Sequence, residues 1–215
     1  MSDRSPELPR ERLPHAFYQR SPRRVARDLL GMALVHRGED GVCSGGWIVE
    51  TEAYLSQRDP ASHSHRGRTR RNQSMFAAAG TLYVYSIHAK ACLNVVTETT
   101  GRGSAVLIRG LQPVWGVDAM QQRRGWPHAD VRLSGGPARL CQALAITTAD
   151  DGRDLVTNSD LWIARPQVPH RFRIKTGPRI GISSATRLPL RYFVDGNTFV
   201  SGRRGDHSQP ATGWL

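Results

Sequence analysis

Glu50, Glu52 and Tyr54 are set two residues apart in the run Trp47-Ile-Val-Glu-Thr-Glu-Ala-Tyr54. The run alternates as a strand does, so Ile48, Glu50, Glu52 and Tyr54 share one face while Trp47, Val49, Thr51 and Ala53 share the other. The second face suits a core. The first sets two carboxylates about 7 Å apart with an aromatic ring beside them. Burying such a row is costly unless the carboxylates are partnered or do chemistry. A carboxylate beside a ring could activate water next to a flat substrate held on the ring. An edge strand with two solvated glutamates is the other reading of this segment taken alone.

Other reactive groups are sparse. The three cysteines, Cys43, Cys92 and Cys141, form no CxxC pair, and an odd number argues against a disulfide framework. His63 and His65 are the one close histidine pair, with no third ligand at a telling distance, so no metal is expected. Charge is the strongest bulk signal: 30 basic residues against 18 acidic, a net +12, with Lys90 and Lys175 the only lysines. Arginine forks bind phosphates bidentately and stack on bases, so an acidic polymer, a nucleic acid, is the expected partner. A coding bias could favour Arg over Lys but does not produce the net excess. No apolar run approaches the roughly 18 residues of a membrane span, and residues 1–12 contain no apolar signal core. The expected protein is soluble, cytoplasmic and monomeric.

The elements that must position these groups are short. Residues 1–20 read as a loose, basic arm and 201–215 as a tail, with one domain over 21–200. Ser21-Pro22 opens a helix that Gly31 stops. Strands are expected at 32–36, 45–54, 81–87, 91–97, 104–111, 160–164, 172–175, 180–182, 190–194 and 198–200, with helices at 114–124 and 138–146. Residues 55–73 carry Arg58, Arg66, Arg68, Arg70 and Arg71 without apolar periodicity, longer than an ordinary connection. Strands in runs with a few helices point to an α+β fold, one domain on a curved, largely antiparallel sheet with flanking helices. No GxGxxG follows a strand, so a dinucleotide-binding domain is not expected.

Further blocks follow the first in order: His63, Asn72, Met75-Phe76, Gly80-Thr-Leu-Tyr-Val-Tyr85, Cys92-Leu-Asn94, Leu107-Ile-Arg109 and Gly136-Pro-Ala-Arg-Leu-Cys-Gln-Ala-Leu144. Together they resemble the alkyladenine (3-methyladenine) DNA glycosylases over most of the chain. The resemblance implies excision of alkylated purines from duplex DNA by base flipping, without metal, cofactor or covalent intermediate. It implies Glu52 as the general base that aims water at C1′, with Arg109 beside it holding the water and the flipped nucleotide's phosphate. Tyr54 and Tyr85, with His63, would sandwich the everted base, and Asn94 would sit at the pocket wall against the exocyclic amine of guanine. Met75 would lie near the lesion on the DNA-facing surface.

The chemistry fits those residues. Alkylation at N3 or N7 makes the purine a cationic leaving group, so the protein need supply only positioned water, a nearby negative charge and a closed site. Lys90, Arg139, Arg179 and the arginines of 55–71 could neutralise phosphates as DNA contacts. Only Lys90 lies near the candidate pocket as an amine nucleophile, which favours water attack and an uncleaved abasic strand. The family usually carries an aromatic wedge between Tyr85 and Asn94. Here Ser86-Ile-His-Ala-Lys-Ala-Cys92 is one residue short, with His88 best placed as wedge. A smaller wedge implies stronger dependence on lesions already cationic or weakly paired. Two alternatives remain: a metal-dependent nuclease using Glu50, Glu52 and His63 as ligands, and a noncatalytic nucleic-acid-binding module.

Overall fold

The alternating run around Glu50 extends back to Cys43 and becomes the organising strand of an eight-stranded sheet. In the computed structural model, which describes residues 7–202, the strands are β1 (Ala33–Arg37), β2 (Cys43–Tyr54), β3 (Leu82–Ile87), β4 (Lys90–Thr97), β5 (Ser104–Trp115), β6 (Leu161–Ala164), β7 (Ile174–Gly177) and β8 (Arg191–Val194). Their order is β3-β4-β5-β2-β1-β6, with β8 on β2 and β7 on β8, and every pairing is antiparallel. The sheet curls into a half-barrel with helices against it, an α+β fold as the element pattern implied.

The curl has a local origin in β2. One side of β2 pairs with β5 from Gly45 to Tyr54; the other pairs with β1 over Cys43–Trp47 and then with β8 over Glu50–Glu52. Between these partners the register with β5 slips on either side of Glu50. Such irregularities bend a strand and increase its twist. They also break the alternation expected from the sequence: Ile48 and Val49 both enter the main core, which strict period two would forbid.

That core lies under helices α2 (Pro22–Asp28) and α5 (Pro137–Ala143) and includes Leu34, Ile48, Leu93, Ile108, Leu140 and Phe193. Thr51 points to this side, its hydroxyl donating to Ala26 O at 2.8 Å near the end of α2. The opposite face of β3, β4 and β5 carries a smaller cluster, Met75, Phe76, Tyr83, Val96 and Ala105, with Tyr54 and Tyr85 packed against it. Helix α3 (Val117–Arg124) runs between Gly116 and Gly125, both left-handed at φ 59° and 57°, where a side chain would be strained.

Several expectations are corrected. The stretch read as a loose arm, 1–20, is packed from Pro9 onward: Leu13 and Tyr18 are fully buried, and Trp162 Nε1 donates to Pro9 O at 3.1 Å. Three apolar side chains anchor it, Leu13 ahead of α1 (His15–Tyr18) and Phe17 and Tyr18 within it, and polar neighbours diluted that signal. Residues 180–182 and 198–200 are not strands; Ile180 spends its N–H on a side chain, and Val200 N–H closes a turn onto Asn197 O at 3.3 Å. A four-residue helix, Val131–Ser134, was too short to show a period; Asp130 caps it by accepting from Arg132 N–H at 2.7 Å. Ser201, expected in the tail, is buried against Glu50, while 1–6 and 203–215 lie outside the described residues.

Candidate active site

Glu52 sits where β2 lies between β5 and β8, and its carboxylate has three donors. Ile180 N–H donates to Oε1 at 2.8 Å, Arg109 Nη1 lies 3.3 Å from the same oxygen, and the Tyr54 hydroxyl donates to Oε2 at 2.9 Å. Burial lifts the Glu52 carboxyl above the ordinary carboxylate value, against the opposing pull of Arg109, Ile180 N–H and Tyr54, with Glu50 adding to the rise. Burial, then Glu52, raise the Tyr54 hydroxyl and keep it a protonated donor. Glu52 itself has no exposed surface. It lies one layer behind a wall made of its own partners.

Beneath it runs a chain of alternating charge that spacing did not reveal. Arg109 Nε donates to Glu50 Oε1 at 3.3 Å, and Arg191 Nε donates to the same oxygen at 2.6 Å. Glu50 Oε2 accepts Ser201 N–H at 2.8 Å, and Arg109 Nη2 donates to Ser201 Oγ at 3.2 Å. A side chain at position 110 would press on the Glu50 carboxylate, a built Cβ falling 3.2 Å from Oε2, so Gly110 leaves the room it needs. Burial opposes the Arg109 charge, but Glu52 and Glu50 outweigh it and raise its pKa. Two carboxylates balance two guanidiniums, the condition under which buried charge is tolerated. Neither glutamate is solvated, as the edge-strand reading required, and their oxygens face cations. Among the described residues no group of three His, Cys, Asp or Glu side chains is placed to hold a metal ion, so the nuclease ligand set is not assembled.

The three partners of Glu52, namely Tyr54, Arg109 and Ile180, all line a cavity of ≈ 510 Å³. That lies within the roughly 300–1,000 Å³ usual for small-molecule sites. His63, Met75, Tyr85 and Asn94 line it too, so with Tyr54 and Arg109 the structure gathers six of the expected residues in one place, with Glu52 behind. The rings are not arranged as a simple sandwich. His63 and Tyr85 meet edge to face, centroids 4.4 Å apart and planes at 67°, too close to admit a base between them. They form one wall, with Tyr54 elsewhere on the cavity lining. His63 Nδ1 is 2.8 Å from the Tyr83 hydroxyl, and desolvation lowers the imidazole pKa, which favours the neutral ring at the cavity. Asn94 serves two purposes: Nδ2 donates to Tyr83 O at 3.0 Å and Cys92 O at 3.3 Å, leaving Oδ1 as its polar atom for the cavity.

Residues 55–76 hold His63 in place through two side chains. Asn72 accepts Thr69 N–H at 2.6 Å and donates to His63 O at 2.9 Å and Gly67 O at 3.1 Å. Asp59 takes the Arg179 fork at 2.5 and 2.7 Å, with both side chains fully buried, while Arg179 also donates to Ala53 O at 3.0 Å. The Arg179 guanidinium lies 4.6 Å over the Tyr54 ring and covers one of its faces. Arg179 is therefore not a phosphate contact: its ion pair is inside the protein. Met75 is likewise not on a DNA-facing surface; it is 2% exposed and lines the cavity within the smaller cluster.

Of the other expected DNA contacts, His88, Lys90 and Arg139 are exposed. His88 and Ala89 form a two-residue hairpin between β3 and β4, both with positive φ, 48° and 61°, which accounts for the missing residue as a tight turn. Lys90 does not line the cavity, and Lys175 is paired with Asp195 at 2.9 Å. Ile87 was missed: it is 49% exposed and lines the cavity beside the turn. Asp59, Arg191, Ser201 and the 180–184 loop were missed too. An arginine inside the apolar run Leu190–Val194 was the visible signal for Arg191.

Comparison with known proteins gives the family. The family model for methylpurine-DNA glycosylase matches residues 16–198, and the chain belongs to that family. It is a DNA repair glycosylase, a hydrolase acting on DNA. Relatives bearing the name "Putative 3-methyladenine DNA glycosylase" include one from Rhodopirellula baltica, 54% identical over 90% of this chain and 84% of its own length. Another, from Methanoculleus marisnigri, is 48% identical over 89% of this chain and 99% of its own. A third, from Koribacter versatilis, is 43% identical over 89% and 94%. Among the described residues no helix is long and apolar enough to cross a membrane.

Proposed function

We propose that the chain everts alkylated purines of the 3-methyladenine and 7-methylguanine type from duplex DNA and hydrolyses the N-glycosidic bond, leaving an uncleaved abasic strand. One observation carries the reading: a buried carboxylate, Glu52, bedded on Tyr54, Arg109 and Ile180, each of which lines a cavity of ≈ 510 Å³ walled by rings. A carboxylate has about four lone-pair sites, and these three donors leave one for water. Water reaches it as the Tyr54 hydroxyl or the 180–184 loop yields to the entering base. Catalytic hydrogen bonds commonly reach working geometry only with substrate in place.

Arg109 steadies the carboxylate, and Glu52 in turn offsets the positive charge that develops on the sugar as the base departs. The free face of Tyr54 and the His63–Tyr85 wall receive the base; a cationic purine over a ring gains about 0.5–2 kcal/mol. A neutral His63 adds no repulsion. Ile87 is the apolar group at the hairpin suited to fill the gap in the duplex, as apolar wedges do elsewhere, with His88 beside it. The chain works as a monomer. The test is base release from methylated duplex DNA by wild type and Glu52→Gln. Wild type is expected to release methylpurine and leave alkali-labile sites, while Glu52→Gln binds the lesion but loses release by at least ~10²-fold. Release undiminished in Glu52→Gln would refute the reading.

A further inference from the structure

We infer that Glu50 is a positioning residue for the reaction: through Arg109 it fixes where the Glu52 carboxylate sits. The inference rests on the proposed role of Glu52 as general base. Arg109 touches Glu52 with Nη1 at 3.3 Å, but the rest of its fork is held from the other side. Nε is on Glu50 at 3.3 Å, Nη2 is on Ser201 Oγ at 3.2 Å, and Ser201 N–H is itself on Glu50 at 2.8 Å. Arg191 holds Glu50 at 2.6 Å and donates to Ser201 O at 2.8 Å, closing the ring of contacts. Glu50 thus grips the same guanidinium that grips Glu52, and it does so from a position with no exposed surface.

Two consequences follow for Glu52. As a like charge on the same strand, Glu50 makes ionisation of Glu52 harder; it also divides the attention of Arg109, whose pull makes ionisation easier. Glu50 therefore keeps the base weaker as an anion and stronger as a proton acceptor. The groups facing Glu52 bear on this from several elements: Tyr54 and Glu50 on β2, Arg109 on β5, Tyr85 on β3, Cys92 on β4, Ile180 N–H on the following loop, and Arg191 opposite it in register on β8. Glu50 couples to Glu52 both directly and through the shared arginine, whose Nε it holds at 3.3 Å.

The experiment measures methylpurine release from methylated duplex DNA under single-turnover conditions across pH, for wild type, Glu50→Gln and Glu52→Gln. Glu50→Gln keeps the shape and one acceptor but removes the charge. The expected result is a plateau rate about tenfold lower, from loosened placement of Arg109, with an acid limb moved to lower pH because Glu52 ionises more readily. If Glu50→Gln does not fold, Glu50→Gln/Arg191→Met is read instead; it removes one charge of each sign and keeps the buried balance. The same lowered plateau and downward shift are expected. A folded variant with the wild-type plateau and acid limb overturns the inference. A lowered plateau with an unmoved acid limb also overturns it, because a merely structural residue would give that result. Loss of release in Glu52→Gln with no shift in Glu50→Gln defeats the positioning role alone. Full release in Glu52→Gln defeats the base assignment beneath it.

Discussion

The Glu52 carboxyl is held by opposing forces, and that balance sets how the reaction should respond to acid. Burial raises its pKa, and Arg109, Ile180 N–H and Tyr54 restrain but do not cancel the rise. The working form is the anion, so base release should fall as pH drops, with a midpoint above the ordinary value of about 4.3 for a glutamate. A pH series of single-turnover rates checks this; a midpoint at or below that value would contradict it. Spacing made Glu52 and Tyr54 legible together, because period two fixes their shared face before any tertiary contact forms. Glu50 has the same spacing, which taken alone leaves it open as a solvated group or a metal ligand. Its true surroundings, Arg191 and Ser201, lie 141 and 151 residues away along the chain, and no local pattern encodes such a meeting. Asn94 shows the converse: one side chain both satisfies strand backbone and lines the cavity.

At the scale of elements, the long alternating strands and the helix starts at Ser21-Pro22 and Pro137 were readable because propensity and packing agree there. Loops were not, because their order depends on single polar contacts with distant partners. The Asp59–Arg179 pair is the main case: it joins the 55–76 segment carrying His63 to the loop carrying Ile180, under the Tyr54 ring. Burial alone would raise the Asp59 carboxyl, but the Arg179 fork and the Leu55 and Ala61 N–H groups outweigh it and hold it low. A depressed carboxyl contributes stability that is full above its unfolded value, about 3.9, and is lost as pH falls through the folded value. Asp59→Asn should therefore cost about 3–5 kcal/mol at neutral pH and lose less on acidification than wild type, checked by thermal midpoints across pH. The hairpin gives a second test. If Ile87 fills the gap in the duplex, Ile87→Ala should slow release from well-paired duplex about tenfold or more while hardly slowing release opposite a mismatch. His88→Ala should do less. Equal losses on paired and mismatched substrates would remove Ile87 from that role.

On the scale of the whole molecule, a net charge of +12 carried almost entirely by arginine has to be divided between structure and DNA. Arg179 and Arg191 are buried in ion pairs and lie off the exposed surface, and Arg109, paired with both glutamates, reaches out only into the cavity it lines. Composition could announce the charge but could not say which arginines face inward; that depends on where Asp59, Glu50 and Glu52 end up. The exposed Arg66, Arg68, Arg70 and Arg71 lie on the segment between His63 and Met75, both of which line the cavity. If they contact phosphate, each contact releases counterions and steepens the dependence of log K on log salt by about 0.9. Replacing all four with Gln should flatten that slope by up to about 3–4 and weaken binding most at low salt. The single-turnover rate at saturating protein should stay near wild type, because none of the four touches the Glu52 network. Titration of a labelled lesion duplex at several salt concentrations measures the slope, and single-turnover release measures the rate. An unchanged slope would mean that these arginines are solvated in the complex and that DNA is held by other groups, Arg139 on α5 among them. A flattened slope with a collapsed rate would instead mean that the segment orders the His63 wall as well as the duplex.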